Sequence, residues 1–183
     1  MTKFIKLILL SFILSAAFQS NAQKVQKSYE MRDLAVLIGI WECNAEFTVD
    51  SVLHKTTYRM NFRKTADGYG INMDEAFTDS ALGSLRGANL IGYGYNDSTI
   101  HWYCVDNMGN TYERKGKWVD SDNLHFDSNT TRDGKKYSEV ITYAFRGTNE
   151  FLYKHLYYID GKEVKKIRGT FKRRQPANPM PKQ

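Results

Sequence analysis

Arg114, His155 and Glu75 are the ionisable side chains that the local pattern turns toward an apolar face. In TYERKGKW, from Thr111 to Trp118, Tyr112, Gly116 and Trp118 lie opposite Thr111, Glu113, Lys115 and Lys117, and this carries Arg114 to the apolar side. FLYKHLYY repeats the pattern, with Phe151, Tyr153, His155 and Tyr157 facing away from Lys154. A third run puts Tyr69, Ile71 and Met73 on one face and brings Glu75 in near the rim. A guanidinium among tyrosines is costly to bury alone, so Arg114 needs either a carboxylate such as Glu75 or an anionic ligand head group. Arg114 and His155, walled by Tyr112, Tyr153, Tyr157 and Tyr69 with Glu75 beside them, form the candidate ligand-binding set. The chemistry they offer is capture of a small apolar or amphipathic molecule oriented by one or two polar groups. An alternative assigns Glu75, His155 and Arg114 as acid, base and anion stabiliser of an enzyme.

Catalytic motifs are absent from the sequence. It has no GxSxG elbow, no HExxH and no glycine-rich phosphate loop after a strand. Asp120 and Asp122 resemble the start of a calcium loop, but no glycine and distal glutamate follow in register. Without an identifiable nucleophile and base, a binding module is preferred to an enzyme, and a solid ligand-free barrel is the third option. The sequence points to no metal: Cys43 and Cys104 lie far from any paired histidines. They fall on the first and fifth predicted strands, too distant for a bridge, so they read as two separate buried thiols.

The elements that must position these residues are strands. Alternation and turn residues predict them at about 40–49, 54–64, 68–77, 88–95, 98–105, 110–119, 123–128, 136–146, 150–158 and 162–174. Asn96–Asp97, Asp133–Gly134 and Asp160–Gly161 are among the short turns between them, which force sequential antiparallel pairing. Ten such strands make a meander, and closure into a barrel removes the exposed edges. The fold class is therefore all-β, a ten-stranded antiparallel meander barrel. Thr78–Gly87 reads as a longer connection, either an ordinary surface loop or a flap at the open end. On the second strand Tyr58, Met60 and Phe62 face in, whereas the fifth leaves two phases open: Ile100, Trp102 and Cys104, or His101, Tyr103 and Val105.

Upstream, Lys3 and Lys6 precede the apolar run Leu7–Phe18 and the small residues Ser20–Ala22, as in a cleaved secretory signal spanning residues 1–22. The apolar run is too short to span a bilayer, and no cysteine at the cleavage site offers a lipid anchor. A secreted or periplasmic protein without a stable membrane anchor is expected. Its barrel domain would occupy residues 23–174, followed by a disordered tail at 175–183 that holds all three prolines. Removing the signal's two lysines lowers the formal net charge from +6 to +4, spread along the strands. Nucleic acid is not an expected partner, because its binding needs a concentrated basic face.

Leu34–Trp41, reading LAVLIGIW, is a short apolar helical turn that runs into the first strand through Gly39, Ile40 and Trp41. With LIGYGYND at 90–97, WYCVDNMGN at 102–110 and GTFKRR at 169–174, it resembles the secreted lipocalin-like barrels of the calycin type filed as a domain of unknown function. The chain is more distantly similar to fatty-acid-binding and nitrobindin barrels. The resemblance implies a lipocalin-like barrel closed at one end by the helical turn, with Trp41 plugging that end behind Gly39 and a last-strand arginine over its ring. Phase supports Arg173 in that role, since Ile167, Gly169, Phe171 and Arg173 share a face. Heme-binding members of the wider group use a histidine on a late strand, which would make His155 a heme ligand.

Overall fold

The computed structural model describes residues 28–174; the signal at 1–22, residues 23–27 and the tail at 175–183 lie outside the described residues. Helix α1 (Tyr29–Asp33) leads into a 3-10 turn (Leu34–Leu37), and Ser28 caps α1 by accepting from the Met31 amide at 3.1 Å. Ten strands follow: β1 (Gly39–Val49), β2 (Val52–Thr65), β3 (Gly70–Asp79), β4 (Gly83–Gly94), β5 (Thr99–Asp106), β6 (Thr111–Trp118), β7 (Asn123–Arg132), β8 (Lys135–Phe145), β9 (Glu150–Ile159) and β10 (Lys162–Arg173). Each pairs antiparallel with its neighbours in sequence, and β1 pairs β10, so the sheet closes on itself. Tight turns make this meander. Asp50–Ser51, Asp133–Gly134 and Asp160–Gly161 all have positive φ, the backbone that joins two twisted strands without splaying them.

The expected flap at Thr78–Gly87 is instead a hairpin. Phe77 pairs Leu85, Thr78 pairs Ser84 and Asp79 pairs Gly83, leaving only Ser80–Leu82 as turn. Asp79 Oδ1 holds that turn by accepting from the Ala81 and Leu82 amides at 2.8 and 2.9 Å. On β5 the phase left open is settled: Ile100, Trp102 and Cys104 are buried, while Tyr103 and Val105 are exposed. Cys43 and Cys104 are both buried free thiols, each pushed up to about 12 by burial.

The helical end is sealed as expected. Trp41 is 0% exposed, and its Nε1 donates to the Leu37 carbonyl at 2.6 Å. The Arg173 guanidinium lies 4.3 Å from the Trp41 ring and donates to the carbonyls of Ile38, Val36 and Thr148. Those carbonyls belong to the turn and to the β8–β9 connection, so one side chain ties three segments. Gly39 is required twice: its φ is +130°, and a Cβ there would meet Arg173 Nη1 at 2.7 Å.

The ladder between β6 and β7 is short. β6 and β7 share only the pairs from Lys115 with Asp127 to Trp118 with Leu124, whereas β7 and β8 pair along their full length to Arg132 and Lys135. Thr111–Arg114 and Ser128–Arg132 therefore part at the open end and leave a slot.

Candidate ligand-binding site

Inward parity brings residues of β2, β3, β4, β5, β6, β9 and β10 together around an internal cavity of about 70 Å³. Arg114, His155, Tyr112, Tyr153, Tyr157 and Glu75 all line it. Tyr69 does not. It sits in the β2–β3 turn with helical φ and ψ, at the helical end of the barrel, because β3 begins only at Gly70.

Arg114 lies between the rings of Trp102 and Tyr112, at 4.8 and 5.0 Å. Its carboxylate partner is Glu139 and not Glu75. Nε and Nη2 donate to Glu139 Oε2 at 2.8 and 2.7 Å, and His155 Nε2 reaches the same oxygen at 3.2 Å. Burial alone would raise the Glu139 pKa, but the His155 hydrogen bond and the Arg114 charge outweigh it and hold the carboxyl down at about 2. Glu139 was legible in principle: in KKYSEVITYAF it shares parity with Ile141, Tyr143 and Phe145, all inward.

Desolvation lowers the His155 pKa to about 4, so at neutral pH the ring is uncharged and its contact with Glu139 is a hydrogen bond, not an ion pair. A carboxylate only accepts, which places the imidazole proton on Nε2 and leaves Nδ1 as the acceptor. Two hydroxyls converge on that one lone pair: Tyr153 at 3.1 Å and Tyr157 at 3.0 Å. Burial holds both tyrosines well above their ordinary pKa, so each keeps its proton, and one O–H is left over as a donor. Lys165 shares the inward parity of Ile167 and lies 4.8 Å over the Tyr157 ring, its pKa lowered by burial.

Glu75 heads a separate network. It accepts from Tyr58 Oη, from Asn89 Nδ2 at 3.3 Å and from Cys104 Sγ at 3.8 Å. Asn89 in turn donates to the Met73 carbonyl at 3.0 Å and accepts from Trp102 Nε1 at 2.7 Å. Gly87 leaves the room: a Cβ there would stand 2.6 Å from Glu75 Oε1. Asn89 and Gly87 share the inward parity of Ile91; the signal for Asn89 lay in the predicted strand at 88–95, whereas that for Gly87 was hidden in the predicted flap.

The balance of groups defines what the cavity can do. Glu139 Oε2 and the Glu75 carboxyl already receive several donors each, while Arg114 Nη1 is buried with no hydrogen-bond partner. Together with the surplus tyrosine O–H and the Lys165 ammonium, it makes the cavity a place for an acceptor oxygen. As a general base the site is poor, since the His155 lone pair is engaged and the Cys104 thiol keeps its proton. Heme does not fit His155: both ring nitrogens are engaged, the ring stacks on Tyr157 at 3.9 Å, and the cavity is far smaller than a porphyrin. Among the described residues, no group of three or more His, Cys, Asp or Glu could hold a metal ion.

With fold and site in place, the chain belongs to the class of closed ten-stranded antiparallel barrels. No family model matches the chain, and no curated protein matches it significantly. Among solved structures it is similar to an S-type phycobiliprotein lyase from Guillardia theta, with TM-score 0.52 and 12% identity over 82% of this chain and 99% of that one. A protein of unknown function from the DUF3598 family of Nostoc punctiforme also matches, with TM-score 0.26 and 8% identity over 81% of this chain and all of that one. At these identities the likeness to the lyase is one of fold.

Proposed function

We propose that this protein is an exported lipocalin-like barrel that binds an amphipathic organic carboxylate, its head group seated on Arg114 in the barrel interior. The observation that carries this reading is the unpartnered, buried Nη1 of Arg114, a residue of the cavity lining, where the carboxylates Glu75 and Asp106 are already engaged by other donors. An arginine so placed is stabilised by a carboxylate that accepts from the nitrogen Glu139 leaves over. Tyr112, Tyr153 and Tyr157 supply apolar faces with polar tips, as small-molecule sites commonly do. Export rests on the sequence of residues 1–22, and sequencing the N-terminus of the protein recovered from its host tests it.

A second reading, a packed barrel without ligand, is favoured by one number: about 70 Å³ lies well below the ~300–1,000 Å³ of ordinary ligand pockets. One titration separates the two. Mature protein is titrated with palmitate, retinoic acid, biliverdin and dansylphenylalanine, each beside its amide or ester, and again as Arg114→Ala and His155→Ala. The carboxylate reading expects at least one acid to bind more tightly than its neutral analogue, and Arg114→Ala to weaken it about tenfold, or ~1.4 kcal/mol. If no compound binds the parent protein, the packed-barrel reading replaces it.

A further inference from the structure

The cavity at Arg114 and the slot between β6 and β7 share a wall. Tyr112 and Tyr157 line both, and Glu139, bonded to Arg114, forms part of the slot's inner wall. Their sizes are complementary: about 70 Å³ inside and about 620 Å³ in the slot. We infer that the slot between β6 and β7 is the binding groove for the body of the ligand whose carboxylate reaches Arg114, a step that rests on the carboxylate reading above.

The inner cavity admits a head group and little else, so the remainder of any ligand must leave it, and the slot is where the wall is already open. The opening comes from the strands themselves. The β6–β7 ladder stops at Lys115 and Asp127, and beyond it the facing edges make no bonds to each other. Polar and apolar surfaces share the slot. Tyr112, Tyr137 and Tyr157 offer rings, while Ser128, Asn129 and Thr130 offer hydroxyl and amide groups. That lining selects a body that is aromatic and carries hydroxyl, amide or sulfonamide groups; a saturated alkyl chain would leave those polar groups desolvated without partners. Glu113 and Asp127 balance Lys115 and Arg132 in the slot's lining, so the lip itself has no strong preference for charge, and charge selection falls to Arg114 inside.

Dansylphenylalanine, which has a carboxylate head and an aromatic sulfonamide body, tests the slot, with benzoate as a head-only competitor. Ser128→Trp fills the slot beside Glu139, its pair on β8, so the benzoate affinity reads whether Arg114 is left intact, and Leu82→Trp adds the same bulk at the β3–β4 turn elsewhere on the rim. Dansylphenylalanine is expected to bind Ser128→Trp about tenfold or more weakly, or ~1.4 kcal/mol, while benzoate binds it as it binds the parent and Leu82→Trp leaves both affinities unchanged. Thr130→Trp, at an exposed position nearer the rim, replaces Ser128→Trp if that variant fails to fold by its urea midpoint. Undiminished dansylphenylalanine binding in the folded slot variant, or its loss in Leu82→Trp, overturns the groove. If that result comes with loss of binding in Arg114→Ala, the carboxylate site stands and only its route fails; if the parent binds neither probe, both fall together.

Discussion

Two arginines of this barrel are stacked on tryptophans, and they do opposite things. At the helical end Arg173 lies over Trp41 and donates to backbone carbonyls of Val36, Ile38 and Thr148. In the open half Arg114 lies over Trp102, bonds a carboxylate, and keeps one buried nitrogen without a partner. The side-chain pair is the same; the difference lies in what the guanidinium's donors meet. Fixed carbonyls use Arg173 to hold segments of the chain together, whereas an incomplete set of acceptors beside a cavity makes Arg114 a place to bind something. A buried arginine on an indole is therefore no sign of a site until its donors have been accounted for.

The contrast can be broken at either end, and the largest effect is expected at the sealed one. Trp41→Ala removes a fully buried indole and its bond to the Leu37 carbonyl, and should cost about 3–5 kcal/mol in urea unfolding while leaving the affinity of the folded fraction for carboxylates intact. Loss of binding without loss of stability would mean that the two regions are not separate. Glu139→Ala strips Arg114 of its carboxylate and should cost about 3 kcal/mol, the low end for breaking a buried pair, because the slot lets water reach the site. Unlike Trp41→Ala, this loss should be partly restored by a bound carboxylate, read as a rise in melting temperature with added ligand. Arg173→Gln leaves several carbonyls short of a donor and should cost about 1–3 kcal/mol with no effect of ligand beyond that on the parent.

The last effect is pH dependence, which between pH 6.5 and about 4 should report on His155 in the open half. His155 is lowered from 6.5 to about 4 in the folded protein, so the unfolded chain takes up the proton first, and stability falls as pH drops from about 6.5 towards 4. Glu139, lowered from 4.5 to about 2, extends the decline, its contribution being full above about 4.5 and lost as pH falls through 2. Urea midpoints across this range should show a slope that His155→Gln flattens between 6.5 and 4. An unchanged slope in that variant would mean the imidazole is already exposed to water.

Much of this was legible in the alternation of side chains. The parities of Trp41, Arg173, Tyr58, Arg114 and His155 each came from a single strand, and the strand periodicity is local information. Partnership across the barrel is not. Whether Arg114 meets Glu75 or Glu139 depends on which strands face each other and on the stagger of a closed sheet, and both carboxyls had the parity to qualify. Tyr69 was misplaced because its assignment depended on where β3 starts, and element boundaries are the least determined part of a pattern. The hairpin around Ser80–Leu82 was hidden by Gly83 and Gly87, which look like loop residues until the pairing register shows one turning the chain and the other making room for Glu75.

The pairing of β1 with β10 also sets an order of events for the chain. Arg173 and the Val36 carbonyl it holds are 137 residues apart, so the lock at the sealed end closes the longest loop in the fold. Closing so long a loop is entropically late, since its cost must be met before the contact exists. Until β10 arrives, β1 has an unpaired edge and Trp41 lacks its arginine, and a nascent chain cannot complete the barrel while its last strand is unmade. Both ends of the described chain then lie together at the sealed end, with Ser28 beside the start of α1 and Arg174 bonded through its amide to the Ile40 carbonyl at 2.8 Å. The limits of the described residues thus lie at the end of the barrel away from the slot. A permuted chain joined across those ends and opened at Asp133–Gly134 would place a break at the slot's own rim and let β7 and β8 part independently.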